Sequence, residues 1–136
     1  MAFSYQRTIH FADTDAAGVV FFANYFAIAH EAYEEALGAA GVELNRFFSD
    51  AGVVVPIAQA EAKYLRPMQA GDKIRVSVTP RRLSDDSFEL KYEIFRTGPS
   101  EKRTAVLRTE HVCIATPSRE RKALPPALAS WVDSVQ

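Results

Sequence analysis

Two carboxylates, Asp13 and Asp15, precede a turn of small residues (Ala16, Ala17, Gly18), an apolar quartet (Val19, Val20, Phe21, Phe22) and a helical pattern that opens near Asn24. That order sets an acid beside a helix start. A helix N-terminus exposes backbone N–H groups without intrahelical partners and carries roughly half a positive charge, so it attracts any oxygen on which negative charge develops. A nucleophile or base on one side of a carbonyl and amide donors on the other is the layout acyl transfer needs, so the stretch points to acyl-group hydrolysis. The bland alternative is a polar turn, Asp13-Thr14-Asp15, followed by Asn24 as a helix cap.

Other chemistries lack their parts. The chain has no Gly-Xaa-Ser-Xaa-Gly elbow, Gly-rich phosphate loop or dinucleotide fingerprint. His30-Glu31-Xaa-Xaa-Glu34 lacks the second histidine of a zinc site, so a His30/Glu34 surface pair is the better reading and no metal is expected. Cys113, in Val112-Cys113-Ile114-Ala115, reads as an inert thiol packed in a strand. His10 reads as a polar-face residue.

The 136 residues suffice for one domain, 1–136, with its own core. A single cysteine excludes an internal disulfide framework and makes a reducing compartment the default. Sixteen basic against seventeen acidic residues ask for neither nucleic acid nor an anionic membrane. The opening MAFSYQRTIHF has no apolar leader and no stretch is long enough to span a bilayer, so a soluble cytoplasmic protein is expected.

The elements that must hold the acid in place follow from periodicity. Tyr5 to Phe11 reads as a short strand that delivers the chain to Asp13. Asn24 to Ala40 reads as a long helix, with Phe26, Ala29, Tyr33, Ala36 and Leu37 at three- and four-residue intervals and Gly41 as its stop. Val42 to Gly52 has no clear period and reads as a loop with a helical turn at 44–48, its Phe47 and Phe48 capping the core or roofing a pocket. Strands are expected over 53–65, 73–81, 87–95 and 103–115, joined by turns at 70–72, 83–86 and 97–100. The Pro- and Arg-rich tail, 116–136, reads as surface, or as a phosphate contact. One strand, a long helix, then four strands make an α+β fold, an antiparallel sheet with a helix on one face.

Asp13, Asp15, Gly18, Val20, Phe22, Asn24 and Tyr25 stand in register with a signature, acid-Xaa-Asp-Xaa-Xaa-Gly-Xaa-Val-aromatic-aromatic-Xaa-Asn-Tyr, which resembles that of hotdog-fold thioesterases of the 4-hydroxybenzoyl-CoA type. The resemblance implies a hotdog fold, a sheet of about five strands wrapped around one central helix. It makes Asp15 the catalytic residue, as nucleophile or as general base for water, and gives the N–H groups around Phe22 and Ala23 the oxyanion role. Asp13 and Gly18 would shape the loop, Val20 and Phe21 line the acyl pocket. It also implies an acyl-CoA substrate, no cofactor beyond the coenzyme A of that substrate, and a homo-oligomer: a dimer with active sites at its interface, or a tetramer made of two dimers. Glu31, Glu34 and Glu35 are rivals to Asp15, since a second branch of such enzymes carries its carboxylate on the helix.

Further likeness, in His30-Glu31-Ala32-Tyr33-Glu34, the Ala70-Gly71-Asp72 turn and Glu110-His111-Val112-Cys113-Ile114-Ala115, is to the cyanobacterial and plastid 1,4-dihydroxy-2-naphthoyl-CoA thioesterases, which release the naphthoate needed for phylloquinone. A fatty acyl-CoA or acyl-carrier-protein thioesterase and a non-catalytic acyl-binding hotdog are the alternatives. One departure stands out: the turn where the 4-hydroxybenzoyl enzymes are basic reads Ser84-Asp85-Asp86, so Arg81, Arg82 or the tail arginines would have to meet the phosphates.

Overall fold

Three stretches alternate apolar and charged residues with a period of two, and a strand places such residues on opposite faces. In the computed structural model, which describes residues 2–134 except for the side chains of Phe48, Asp50 and Ala51, these stretches form the middle of an antiparallel sheet laid around one long helix. In chain order the elements are β1 (Phe3–Thr8), α1 (Asn24–Ala39), α2 (Leu44–Ala51), β2 (Val53–Val54), β3 (Ile57–Tyr64), β4 (Lys73–Ser84), β5 (Ser87–Arg96), β6 (Lys102–Val112), β7 (Ile114–Ala115) and α3 (Pro126–Asp133). The five-stranded sheet has the order β1-β4-β5-β6-β3, with β1 and β3 at its edges, and β2 pairs separately with β7.

Ile74, Val76 and Val78 of β4, Phe88, Leu90, Tyr92 and Ile94 of β5 and Ala105 and Leu107 of β6 are all buried beneath α1. The helix answers with Tyr25, Ile28, Ala29, Ala32, Tyr33, Ala36 and Leu37, a stripe at intervals of three and four residues. Alanine at 29, 32 and 36 keeps that stripe thin, so the helix lies close to the sheet. Each large apolar side chain buried here contributes about 1.5–3 kcal/mol. On the outer face Arg108 reaches Glu89 and Glu110, each at 2.8 Å. Pro80 sits in β4 beyond the last residue paired with β1, where its missing N–H leaves no neighbour short of a bond.

The structure corrects four expected boundaries. β1 ends at Thr8, and Phe11–Asp13 is a 3₁₀ turn. The stretch from Leu44 is a two-turn helix, closed by Gly52 in the left-handed region (φ 66), and it presents Phe47 to the core, whereas the Phe48 side chain lies outside the described residues. Strand 53–65 divides at Pro56, and strand 103–115 divides at Cys113. The tail is not surface alone: Leu128, Trp131 and Val132 of α3 are buried, with Trp131 stacked on Tyr33 at 5.9 Å. Cys113 is buried, and burial pushes its thiol pKa up.

His111 is 1 % exposed, its ring stacked on Phe88 at 4.7 Å. Burial, with a smaller push from His30, lowers its pKa to about 4. An unfolded histidine takes up its proton near pH 6.5, so acid favours the unfolded chain: the contribution of a neutral His111 is complete above that pH and is lost on going down toward pH 4, by about 3 kcal/mol. Chemical denaturation at pH 7 and pH 4.5 should therefore show the wild type losing more stability than His111→Phe, and parallel losses would mean that the folded ring accepts the proton.

Candidate active site at the entrance to the long helix

The chain leaves the sheet at Ile9, which is buried and fastened to the turn before β4 by Ile9 N–H to Asp72 O (2.9 Å) and Gly71 N–H to Ile9 O (2.8 Å). From there the loop is fixed around Asp13. Its Oδ2 accepts the His10 N–H at 2.8 Å and the Arg7 Nη2 at 2.6 Å. Its backbone carbonyl accepts the Phe21 N–H and the Asn24 side-chain amide, both at 3.0 Å. Asn24 is thus the first helical residue rather than the cap, and it ties the helix to the acid loop across 11 residues.

Between those ties the loop closes on itself. Gly18 N–H donates to Asp15 O at 3.0 Å with Gly18 at φ +82, Asp15 N–H donates to Val19 O at 2.9 Å, and Val20 N–H reaches Met68 O at 2.8 Å. A side chain at position 18 would meet no atom within 4 Å, so it is the backbone angle that selects glycine. Asp15 is exposed; its Oδ1 accepts the Ala17 N–H at 2.8 Å, and its Oδ2 has no partner among the described residues. The local turn orients the carboxylate and leaves one oxygen unclaimed.

Two of the three rival acids are otherwise engaged, and the third, Glu35, is exposed. Glu31 accepts Tyr5 O–H at 2.9 Å and lies 3.3 Å from Arg7, whose side chain is 10 % exposed and which also holds Asp13. Glu34 pairs with His30 at 3.1 Å, the surface pair that the spacing suggests.

At the helix entrance Asn24, Tyr25 and Phe26 donate to the carbonyls of Phe21, Phe22 and Ala23, at 2.8, 3.3 and 3.2 Å. The N–H groups of Phe22 and Ala23 have no acceptor among the described residues. They stand at the positive end of α1, where an oxyanion is stabilised. Phe22 is 63 % exposed, and its carbonyl accepts Tyr64 O–H at 3.2 Å. Val19, Val20, Phe22, Tyr25, Tyr64 and Leu65 line a cleft of about 280 Å³ here. Asp15 and Phe21 stand outside that lining, Phe21 with its ring 4.9 Å from Phe22. One chain therefore brings the acid, the free amides and an open aromatic surface to the same loop, while the cleft wall comes partly from Tyr64 and Leu65, which no local pattern connects to this loop.

Of the arginines considered for phosphate contacts, three are paired within the chain, Arg81 with Glu89 (3.0 Å), Arg82 with Asp133 (2.8 Å) and Arg121 with Asp86 (3.0 Å), whereas Arg119 is exposed. Among the described residues no three His, Cys, Asp or Glu side chains are grouped to hold a metal ion, and no helix is long and apolar enough to cross a membrane.

Residues 9–132 match the model of a family described as the thioesterase-like superfamily. The 1,4-dihydroxy-2-naphthoyl-CoA hydrolase of Thermosynechococcus vestitus is 47 % identical over 130 residues, covering 96 % of this chain and 88 % of the relative. That of Trichodesmium erythraeum is 42 % identical over 136 residues, covering 100 % and 99 %. The crystal structure of a 1,4-dihydroxy-2-naphthoyl-CoA thioesterase from Synechocystis superposes with a TM-score of 0.93 at 32 % identity, covering 99 % of this chain and 98 % of that one. These likenesses run over nearly the full length, and the chain belongs to the thioesterase-like superfamily, in its hotdog fold.

Proposed function

We propose that this protein hydrolyses 1,4-dihydroxy-2-naphthoyl-CoA to 1,4-dihydroxy-2-naphthoate and coenzyme A, with Asp15 as the catalytic carboxylate. The observation that carries the reading is the loop itself: an oriented carboxylate with one free oxygen, joined by six residues to the two unclaimed amides of Phe22 and Ala23. A thioester carbonyl set between them has its oxygen polarised by the amides, each well-placed donor contributing about 3 kcal/mol as charge builds. Asp15 then attacks the carbonyl carbon or takes a proton from a water that does so; the C–S bond breaks, and the thiolate leaves as the free thiol after protonation. In the nucleophilic version water cleaves the resulting anhydride. The naphthoyl choice is supported by the relatives at 41–47 % identity and by the aromatic surface of Phe21, Phe22 and Tyr64.

The working form is a homodimer, itself able to pair into a tetramer, in the cytoplasm. An edge strand with open N–H and C=O groups calls for a partner, and β3 is such an edge, mostly exposed, with Ile57 and Tyr64 each 45 % exposed at its ends. Two copies of β3 can pair antiparallel along this edge about a two-fold axis at Ala60, whose N–H faces outward.

Thiol release from dihydroxynaphthoyl-, 4-hydroxybenzoyl- and palmitoyl-CoA tests the assignment. The expected result is a kcat/KM for the naphthoyl ester about 100-fold above that for palmitoyl-CoA. A preference for palmitoyl-CoA would make this a fatty acyl thioesterase, and tight binding without thiol release a non-catalytic acyl carrier.

A further inference from the structure

A groove of about 670 Å³ lies on the face of the sheet turned away from α1, over β3, β5 and β6. Lys63, Lys91, Arg103 and Arg108 line it around half-buried Val106, against the one carboxylate of Glu61.

Elsewhere this outer face sets opposite charges together. Arg81 stands opposite Glu89 in the β4–β5 register, at 3.0 Å, and Arg103 reaches Glu93 at 2.8 Å. The groove breaks that rule. Lys91 stands directly opposite Arg108 in the β5–β6 register, and like charges so placed cost stability. Arg108 is offset by Glu89 and Glu110, both at 2.8 Å, and reaches Glu61 at 3.4 Å. Lys91 and Lys63, on either side of β6, are exposed and have no carboxylate partner among the described residues. A local mismatch of this kind marks a place where function opposes stability, and an anion laid in the groove relieves the repulsion.

The groove also joins the acid loop. Exposed Leu65, one residue beyond the end of β3, borders both this groove and the cleft at the helix entrance. Its N–H and that of Arg66 both donate to Thr104 O, at 2.8 and 3.1 Å, which fixes the junction to β6. Arg66 lines the cleft, donates from Nη1 to Arg103 O at 2.9 Å and has no carboxylate partner among the described residues.

We propose that this groove holds the phosphates of the coenzyme A substrate, with Lys63 and Lys91 as their contacts and the pantetheine arm passing Leu65. The inference rests on the hydrolase reading, which sets the thioester at the other end of that path. Coenzyme A carries a pyrophosphate and a ribose phosphate, whose anionic oxygens take charge-assisted bonds from lysines on both sides of β6. The groove stands in for the turn at 84–86, which is acidic here, and for Arg81, Arg82 and Arg121, which are already paired.

The test compares the 1,4-dihydroxy-2-naphthoyl thioesters of coenzyme A and of pantetheine, which shares the arm and lacks every phosphate. The ratio of their kcat/KM values should fall about tenfold in the double variant Lys63→Gln/Lys91→Gln, through a raised KM for the coenzyme A ester. A second measurement needs neither variant nor turnover: adenosine 3′,5′-bisphosphate, the phosphate-bearing end alone, should shift the backbone amide resonances of Lys63, Lys91 and Val106 in the wild type. An unchanged ratio in the double variant, the same fall in Arg119→Gln instead, or amide shifts confined to the tail overturns the groove assignment and leaves the hydrolase reading standing. A changed sedimentation coefficient with an unchanged ratio also overturns it, and makes this face a contact between copies of the chain. Failure of the wild type to cleave either ester overturns the hydrolase reading, and this inference with it.

Discussion

Asp15→Asn lowers kcat for thioester hydrolysis by about a thousandfold, equivalent to about 4 kcal/mol of transition-state stabilisation. The substitution removes the negative charge and the basic oxygen while leaving the shape, and an asparagine carbonyl still accepts the Ala17 N–H that orients the side chain. Because position 15 is exposed and packs against nothing that the charge sustains, the fold and its melting temperature should be unchanged. The comparison is Glu31→Gln. It takes the charge from a carboxylate that Tyr5 and Arg7 hold, so its cost falls on stability, about 1–2 kcal/mol, with kcat within about threefold of wild type. Free-thiol assays at saturating naphthoyl-CoA, with thermal melts of all three proteins, separate the two roles. Undiminished thiol release from Asp15→Asn would sink the assignment, and loss confined to Glu31→Gln would move the chemistry onto the helix.

The parts of this site that were legible in the sequence are those built from neighbours. The acid, the glycine that turns after it and the helix that follows lie within one stretch, and the alternation of β4 and β5 carries their burial without help from anything distant. What sequence order concealed is contact across the fold. Tyr64 and Leu65 reach the helix entrance from the end of β3, some forty residues on, and nothing local marks Asn24 as the tie to the Asp13 carbonyl rather than a cap. The tail misled for another reason. Leu124, Leu128, Trp131 and Val132 have helical spacing behind Pro125 and Pro126, but the surrounding prolines and basic residues give the segment the composition of a surface loop. Pro126 opens that helix, where a missing N–H costs nothing. The short α2 does carry apolar residues at helical intervals, Leu44, Phe47, Phe48 and Ala51, but two turns are too few for that period to stand out from a loop.

Ala60→Pro, at the centre of the open edge, should abolish most of the activity without touching any residue of the acid loop. The N–H groups of a strand alternate between its two neighbours. Leu65 N–H donates across to Thr104 of β6, so those of Lys63 and Glu61 also face β6, while those of Ala62 and Ala60 face outward. Proline at 60 therefore spares the β3–β6 ladder and removes a donor only from the exposed edge, where proline is tolerated in a folded sheet. If two copies of β3 join there, the variant loses a central interprotomer bond and gains a ring that blocks close approach. Sedimentation should then report a monomer with a wild-type circular dichroism spectrum. If the active site lies at that interface, kcat/KM for the naphthoyl ester should drop by about 100-fold, because the groups that hold the substrate would no longer be assembled. A monomer that hydrolyses the ester as fast as wild type would place the whole site within one chain, and a variant that remains dimeric would move the interface away from β3.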